Sequence, residues 1–234
     1  MKIYVLVIFS WRIFDRVNNM EKLEKQQWIA EVKALKAYCY FELLRHYGPI
    51  VLMPESIPAD ADISIMQQQR SHVDTCFKEI VRLLDEAAID LLPSSERSFD
   101  RAAYFSKEAA LALKARALLY AASPLFNGND LYAGYTGKNG EPLFSATYDP
   151  EKWRLAAEAA DIAVEACVSY GHTLYDGTSG KGFDLLNVMY DIERSVLSQF
   201  TNSEAILEWK DMSSTPFYKL LLPKFKSTDT QHYN

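Results

Sequence analysis

Hydrophobic and polar positions follow helical spacing along four segments of the chain. The clearest segment begins at Ser71, where Asp74 three residues later completes a variant of the capping box. Apolar side chains then recur every three or four residues until Pro93, which predicts a helix with one buried stripe. The stripe consists of Val73, Phe77, Ile80, Leu84, Ala87 and Leu91.

Two further segments are apolar around most of the helix circumference. The first runs from about Glu24 to Tyr47 and stops at Gly48-Pro49, since proline cannot continue a helix. The other starts at the N-cap residue Ser106, with Glu108 in its first turn, and continues as AALALKARALLYAA. Both segments predict buried helices.

A fourth helix is predicted from Asp149 to Gly171, with Asp149 as the cap and Pro150 at the first helical position. We expect Gly171 to end it as a C-cap. Its polar residues recur at helical spacing, and almost everything else is apolar and mostly alanine. We therefore expect Trp153 in the core and Ala160 in a close helix contact. The polar positions are Arg154, Glu158, Asp161 and Glu165.

Helices that are apolar on most sides need neighbours on more than one side. Stacked helical hairpins meet that need, because each helix packs on its partner and on the next pair. A weak repeat agrees: Trp28 precedes Ala34 and Ala37 as Trp153 precedes Ala157 and Ala160. The sequence therefore predicts an all-α fold of tetratricopeptide-like stacked pairs.

Two long insertions interrupt the predicted helices, at positions 48–70 and 123–149. The second is rich in Gly and Asn and carries five aromatic residues, which argues against disorder and for a functional loop. After Gly171 the helical pattern fades. We expect one partial domain over 1–234, with a helical-repeat core at 24–170 and an irregular segment at 171–234 that leads into a missing C-terminal half.

Composition and charge exclude some classes of function. The formal charge is −6 and the isoelectric point is near 5.3, which argues against nucleic-acid binding, since that would need a clustered basic face. Cys39, Cys76 and Cys167 lie far apart without metal-ligand spacing, and we expect buried free thiols. The opening MKIYVLVIFS resembles a signal peptide but is not followed by a cleavage site or lipobox cysteine, so we interpret it as part of a buried helix, with a signal peptide as the alternative.

No catalytic or cofactor motif emerges from the spacing of reactive residues. The four histidines lie far apart, and GTSGKG at 177–182 lacks the spacing of a phosphate-binding loop. A pair of carboxylates brought together by the fold would still allow glycoside hydrolysis. We expect neither a metal nor a cofactor.

Four stretches, in order, resemble the SusD/RagB family of outer-membrane nutrient-binding lipoproteins of Bacteroidetes. The first, at 28–52, reads WIAEVKALKAYCYFELLRHYGPIVL. The others are KEAALALKARALLYAASPLFNG at 107–128, YDPEKWRLAAEAADIAVEA at 148–166 and FTNSEAILEWK at 200–210. The resemblance covers most of the chain from Trp11 onward.

This resemblance implies a helical, tetratricopeptide-like fold with long inserted loops. It also implies a surface-exposed protein of the cell outer membrane, which captures glycans and delivers them to a TonB-dependent transporter of the SusC type. Family members are about twice as long and carry a lipidated N-terminal cysteine that this chain lacks, so we expect an incomplete member. Its membrane association would depend on that absent lipid anchor.

The candidate ligand contacts lie in the irregular regions. Sugar rings stack their C–H faces on exposed aromatic rings, while Asn and Asp side chains bond the hydroxyls. The alternative for each aromatic residue is that it fastens a long loop to the helices. Two alternatives to glycan binding also stay open: a helical scaffold for a protein partner, and a helical glycoside-processing enzyme. The candidates are Tyr132, Tyr135, Tyr175, Tyr190, Asn127, Asn129 and Asp130.

Overall fold

The computed structural model describes residues 17, 19–53, 62–63, 67–97, 104–174, 188–189 and 203–207. These residues form four α-helices: α1 (Lys22–Tyr47), α2 (Val73–Asp90), α3 (Lys107–Ala122) and α4 (Glu151–Ser169). Short 3₁₀ turns span Ser94–Glu96 and Asp130–Tyr132. Within the described ranges, no helix is long and apolar enough to cross a membrane. The signal-like opening segment and GTSGKG lie outside these residues.

The helices pack in chain order as α1–α2–α3–α4, each against the next. Helix α1 runs antiparallel to α2, because Lys33 pairs with Glu86 at 2.8 Å while the far end of α2 brings Cys76 to the carbonyl of Ile50. Helix α3 runs antiparallel to α2, because Lys107 N–H donates to Leu92 O just after the end of α2, while Phe126 just after the end of α3 contacts Phe77 in the first turns of α2. The predicted all-α architecture of stacked helical pairs is confirmed.

Helix α4 in turn runs antiparallel to α3. At one end Lys152 donates to the carbonyl of Phe126, and at the other His172 lies 3.3 Å from Glu108. Four helices that alternate in direction form two stacked hairpins. This arrangement places the segment between α3 and α4 at the same end of the stack as the C-terminus of α1.

The apolar stripe predicted for α2 is confirmed, since all six of its positions are buried. It packs between α1 and α3, where Tyr40, Phe41 and Leu44 of α1 are also buried. The Tyr40 hydroxyl donates to the carbonyl of Met53 at 2.9 Å and accepts from its N–H at 2.8 Å. The chain leaving α1 is thereby fastened to that helix.

Most helix ends lie where the sequence predicts them. Ser106 Oγ accepts from Ala109 N–H at 3.1 Å, and Asp149 Oδ1 accepts from Glu151 N–H at 3.0 Å. Gly171 adopts a left-handed φ of 93° after the last turn of α4. Ser106 and Asp149 each accept a hydrogen bond from a backbone N–H group that the first turn of a helix leaves without a partner. Gly171 turns the chain away after the last turn of α4.

The predicted start of α2 is corrected by one residue. His72, rather than Ser71, occupies the N-cap, and its Nδ1 accepts from Asp74 N–H at 3.1 Å. Ser71 instead donates its backbone N–H to Ile50 O at 2.8 Å. Ser71 is therefore bonded to the chain that leaves α1, and the helix begins after it.

The packing expected for α4 is wrong at two positions. Helix α4 contacts α3 through the alanine face formed by Ala156, Ala159 and Ala163, which are buried. Trp153 is 42% exposed, and Ala160 is exposed as well. Both lie beside the alanine face rather than on it, because the described residues cover α4 from one side only.

The three cysteines are free thiols, as expected. Cys76 is buried, whereas Cys39 and Cys167 are partly buried. Burial raises the pKa of each thiol, since it disfavours the thiolate. These cysteines therefore have the character of packing residues rather than of nucleophiles.

Candidate functional site

The segment between α3 and α4 forms a closed loop whose two ends are held together. Asn127 Nδ2 donates to the carbonyl of Asp149 at 2.9 Å, and Asn127 Oδ1 accepts from Asp149 N–H at 2.8 Å. Beside this clamp, Gly128 has a φ of 74°, and a Cβ there would lie 2.8 Å from the backbone of Tyr148. Only glycine allows the two ends to come this close.

A chain of aromatic rings connects this loop to the helical core. Phe77 of α2 meets Phe126 edge to face at 5.2 Å, and Phe126 lies parallel to Phe144 at 6.3 Å. Tyr132 stacks on Phe144 with centroids 4.8 Å apart, and Tyr135 meets the Phe144 ring edge-on at 6.2 Å. The two tyrosines are thus the outer members of a cluster that begins in the core.

Tyr132 and Tyr135 remain accessible although one aromatic ring supports both. Tyr132 is 38% exposed and Tyr135 is 48% exposed, whereas Phe144 beneath them is buried. A ring fixed by packing loses little conformational freedom when a ligand binds to its outer face. The arrangement combines the two roles that the sequence left as alternatives: the tyrosines hold the loop and still present a surface.

The two tyrosines line an open cleft of about 280 Å³, which we call the tyrosine cleft. Its opposite wall is the end of α1, formed by Arg45, His46 and Tyr47. Gly48, with a φ of 68°, turns the chain out of α1 at this point. The tyrosine cleft therefore lies between the C-terminal end of α1 and the loop that connects α3 to α4.

The charged groups of the tyrosine cleft are largely paired within the protein. Arg45 donates to Glu42 Oε2 at 2.6 Å, and His46 Nδ1 lies 2.8 Å from the carbonyl of Glu42. The Arg45 guanidinium also lowers the pKa of the Tyr120 hydroxyl through a hydrogen bond. The cleft is consequently a nearly neutral surface of aromatic rings edged by polar groups.

The remaining predicted site residues differ in their surroundings. Asn127 is buried and its amide is committed to the loop clamp, so it is not placed to contact a ligand. Asn129 caps the 3₁₀ turn by accepting from Leu131 N–H at 3.0 Å, while Asp130 is exposed. Tyr175 and Tyr190 lie outside the described residues.

Sequence reasoning missed the contribution of α1 to the cleft. Ligand contacts were expected from loops and not from helices, yet Arg45, His46 and Tyr47 form one wall. Tyr47 is 70% exposed at the last position of the helix. An exposed aromatic residue directly before Gly48-Pro49 was the available signal, since a chain that turns there leaves the ring uncovered.

A buried polar cluster joins α3 to the chain that follows α4. Glu108 is completely buried and accepts from Ser94 N–H at 2.8 Å. His172 Nε2 lies 3.2 Å from Ser94 Oγ and 3.3 Å from Glu108 Oε1. A catalytic relay uses the two opposite ring nitrogens, whereas one nitrogen faces both oxygens here. The cluster has the geometry of a structural fastening.

A larger groove of about 570 Å³ lies between α1 and α3 and has mainly hydrocarbon walls. Trp28 and Tyr104 meet edge to face there at 6.3 Å, and Leu35 and Leu113 line the groove beside them. Burying sugar hydroxyls against such walls would cost free energy. This groove suits an apolar partner better than a glycan.

Within the described ranges, no cluster of three or more His, Cys, Asp or Glu side chains is placed to hold a metal ion.

Comparison with known proteins identifies the family. The model of the SusD-like family described as "Starch-binding associating with outer membrane" matches residues 1–119 of the 234. The chain belongs to the SusD-like family. The solved protein BT4246 is 34% identical over 78% of this chain, with a TM-score of 0.70.

Other comparisons agree on the fold. A SusD-like protein from Bacteroides fragilis, BF3747, aligns with 90% of this chain at 21% identity and a TM-score of 0.61. The chain spans about a third of the length of these solved proteins, 32% of BT4246 and 33% of BF3747. No curated protein sequence gives a significant match.

Proposed function

We propose that this SusD-like chain binds glycans through the tyrosine cleft. The observation that carries the proposal is the pair Tyr132 and Tyr135, which are held by Phe144 and remain partly exposed in one cleft. Aromatic faces supported in this way stack well on the C–H faces of sugars. The neighbouring backbone and the Tyr47 hydroxyl supply polar groups at the edge.

The family description supports a role at the outer membrane. Proteins of this family are described as starch-binding and associated with the outer membrane. We propose that the chain works at the cell surface as a binding protein rather than an enzyme. It would pass an oligosaccharide or other nutrient to a SusC-like TonB-dependent transporter, and a lipid anchor would hold it to the membrane. Co-purification with such a transporter from cells tests the delivery step.

Tyr175 and Tyr190 remain part of the proposal, because they follow α4 in the sequence. Asp130, which is exposed beside Tyr132, completes the set as a hydrogen-bonding group. Asn127 and Asn129 would act indirectly, by fixing the shape of the loop. Variants of Asn127 and Asn129 are therefore expected to affect binding by changing the conformation of the loop.

Affinity electrophoresis through gels containing single polysaccharides tests glycan binding directly. We expect the chain to be retarded by at least one polysaccharide, and the double variant Tyr132→Ala/Tyr135→Ala to migrate as in a gel without polysaccharide. A melting curve of the double variant controls for folding. Retardation that the double variant retains would place the contacts elsewhere, and depolymerisation of the retained polysaccharide would indicate an enzyme.

A protein-binding scaffold is the second candidate, favoured by the uncovered side of α4. Trp153, Val164 and Val168 are all exposed along this helix, at positions that recur over four turns. Ala157 and Ala160 lie between them and keep the surface shallow. A chain that binds no polysaccharide but forms a stable complex with a protein would support this candidate.

A further inference from the structure

A second cleft adjoins the tyrosine cleft and shares Tyr135 with it. It has a volume of about 540 Å³, and we call it the glutamine cleft. One wall consists of the three consecutive glutamines at 67–69 with Arg70, and the other contains Thr136, Gly137 and Lys138. Tyr135 is therefore the residue through which one ligand could contact both clefts.

Both walls of the glutamine cleft are fixed to the helical core. The segment from Tyr135 to Leu143 forms a small hairpin, in which Leu143 N–H donates to Tyr135 O at 3.0 Å. The carbonyl of Leu143 accepts from Val73 N–H at 3.0 Å, at the start of α2. The opposite wall is held by the bond from Ser71 N–H to Ile50 O, directly after Arg70. The cleft is thus formed before any ligand arrives.

The charge of this cleft differs from that of its neighbour. Arg70 and Lys138 are exposed, and neither forms an ion pair with any of the residues that the structure describes. Arg45 in the tyrosine cleft is paired with Glu42, by contrast. One carboxylate, that of Glu141, lies against Gly137. Among the described residues at the glutamine cleft, two cations therefore stand against one carboxylate.

We infer that the glutamine cleft binds an acidic sugar, so that the ligand is an oligosaccharide carrying carboxylate or sulfate groups. This inference rests on the proposed function and names its ligand class. A guanidinium presents a fork of donors that matches a carboxylate or sulfate, while an ammonium acts as a point charge. The side-chain amides of Gln67 and Gln69 donate to and accept from the hydroxyls of the same sugar. The neighbouring sugar ring of the oligosaccharide stacks on Tyr135.

Matched glycans that differ only in charge test this inference. Oligogalacturonates and their methyl esters share one backbone, as do alginate oligosaccharides and their esters. A sulfated galactan oligosaccharide compared with its desulfated form separates sulfate from carboxylate recognition. Each pair is titrated calorimetrically into the chain and into Arg70→Gln, Lys138→Gln and the double variant. Lys78→Gln, an exposed cation on α2 outside both clefts, serves as the control.

We expect at least one acidic glycan to bind more tightly than its neutral partner at low salt. Each single variant should weaken that binding about two- to fivefold, as exposed ion pairs do, and leave the neutral glycan unaffected. Added salt should reduce the difference between the acidic and neutral forms. Lys78→Gln should bind as the wild type does.

The outcomes separate this inference from the proposed function. Binding of neutral glycans that equals or exceeds binding of their acidic partners would overturn the acidic ligand class and leave glycan binding intact. The same holds if the double variant binds the acidic form as tightly as the wild type does. Failure of every member of these pairs to bind would overturn the acidic ligand class, and the polysaccharide gels would still decide glycan binding itself.

Discussion

Asn127 and Asp149 hold each other by two reciprocal hydrogen bonds although 22 positions separate them in the chain. The pair closes the loop that carries Tyr132, Tyr135 and Phe144. A loop closed by its own side chains behaves as a compact unit rather than as a free connection. The conformation of the candidate site therefore depends on the buried side-chain amide of Asn127.

Replacing Asn127 with Ala is expected to lower the free energy of unfolding by about 1–3 kcal/mol, because the backbone N–H and carbonyl of Asp149 would both lose their hydrogen bond to the Asn127 amide. Asn129→Ala should cost less, since its bonds lie at the exposed rim of the same loop. Urea unfolding measures both changes, and amide exchange in the loop shows whether it opens. Equal losses for the two variants would contradict the role of the clamp.

A series of three glycines separates backbone strain from close contact. Gly128→Ala combines a left-handed φ with a clash against Tyr148, so we expect a loss of about 2–4 kcal/mol in the free energy of unfolding. Gly140 also has a left-handed φ, of 82°, but a Cβ there meets nothing, so strain alone should cost about 1 kcal/mol. Gly134→Ala should be nearly neutral. A different order of the three losses would refute the packing at Gly128.

Two adjacent alanines of α4 test which face of that helix is covered. Ala159→Leu places extra methyl groups against α3 and should cost about 1–3 kcal/mol of stability. Ala160→Leu should change stability by less than about 0.5 kcal/mol, because Ala160 is exposed. Thermal unfolding of the two variants measures both changes in stability. A larger loss at Ala160 would show that a further surface covers this side.

Glu108 links stability to pH. Burial opposes its ionisation, but hydrogen bonds with Ser94 and His172 outweigh that cost and hold its pKa below the ordinary 4.5. The unfolded chain therefore takes up the proton first as the pH falls. The stability that the carboxylate contributes is present above pH 4.5 and is lost as the pH falls through the lower pKa of the folded state.

Glu108→Gln is consequently expected to be less stable than the wild type at pH 7, by about 1–3 kcal/mol. The deficit should shrink as the pH is lowered below 4.5. Urea unfolding at several pH values measures it, with the exposed Glu165→Gln as the control. A deficit independent of pH would mean that the charge of Glu108 contributes nothing.

The helices were predictable because their signals are local. The stripe from Val73 to Leu91, the Ser106 cap and the stop at Gly48-Pro49 depend on residues a few positions apart. Which element packs against an apolar face depends on residues far away in the sequence. For that reason, the same reasoning placed Trp153 and Ala160 in contacts that the described residues do not make. Periodicity shows that a face is apolar, but it does not show what covers that face.

The candidate site was predictable in part. An aromatic loop between two helices singled out Tyr132 and Tyr135, because such a loop rarely lacks a role. Their support by Phe144 and the wall supplied by Tyr47 depend on the antiparallel packing, which brings the end of α1 to this loop. Arg70 and Lys138 gave no signal in the sequence, since isolated cations are common on surfaces.

Tyr135 provides the most direct test, because it is the residue that both clefts share. The measurement is calorimetric titration of a retained oligosaccharide into the wild type, Tyr135→Ala and Tyr148→Ala. Tyr148 is exposed in the same loop but lines neither cleft, so it is a matched control. We expect Tyr135→Ala to weaken binding by about 1 kcal/mol or more, roughly fivefold, and a melting curve of each variant confirms that it is folded. Unchanged affinity in Tyr135→Ala, or an equal loss in Tyr148→Ala, would contradict glycan binding at this site.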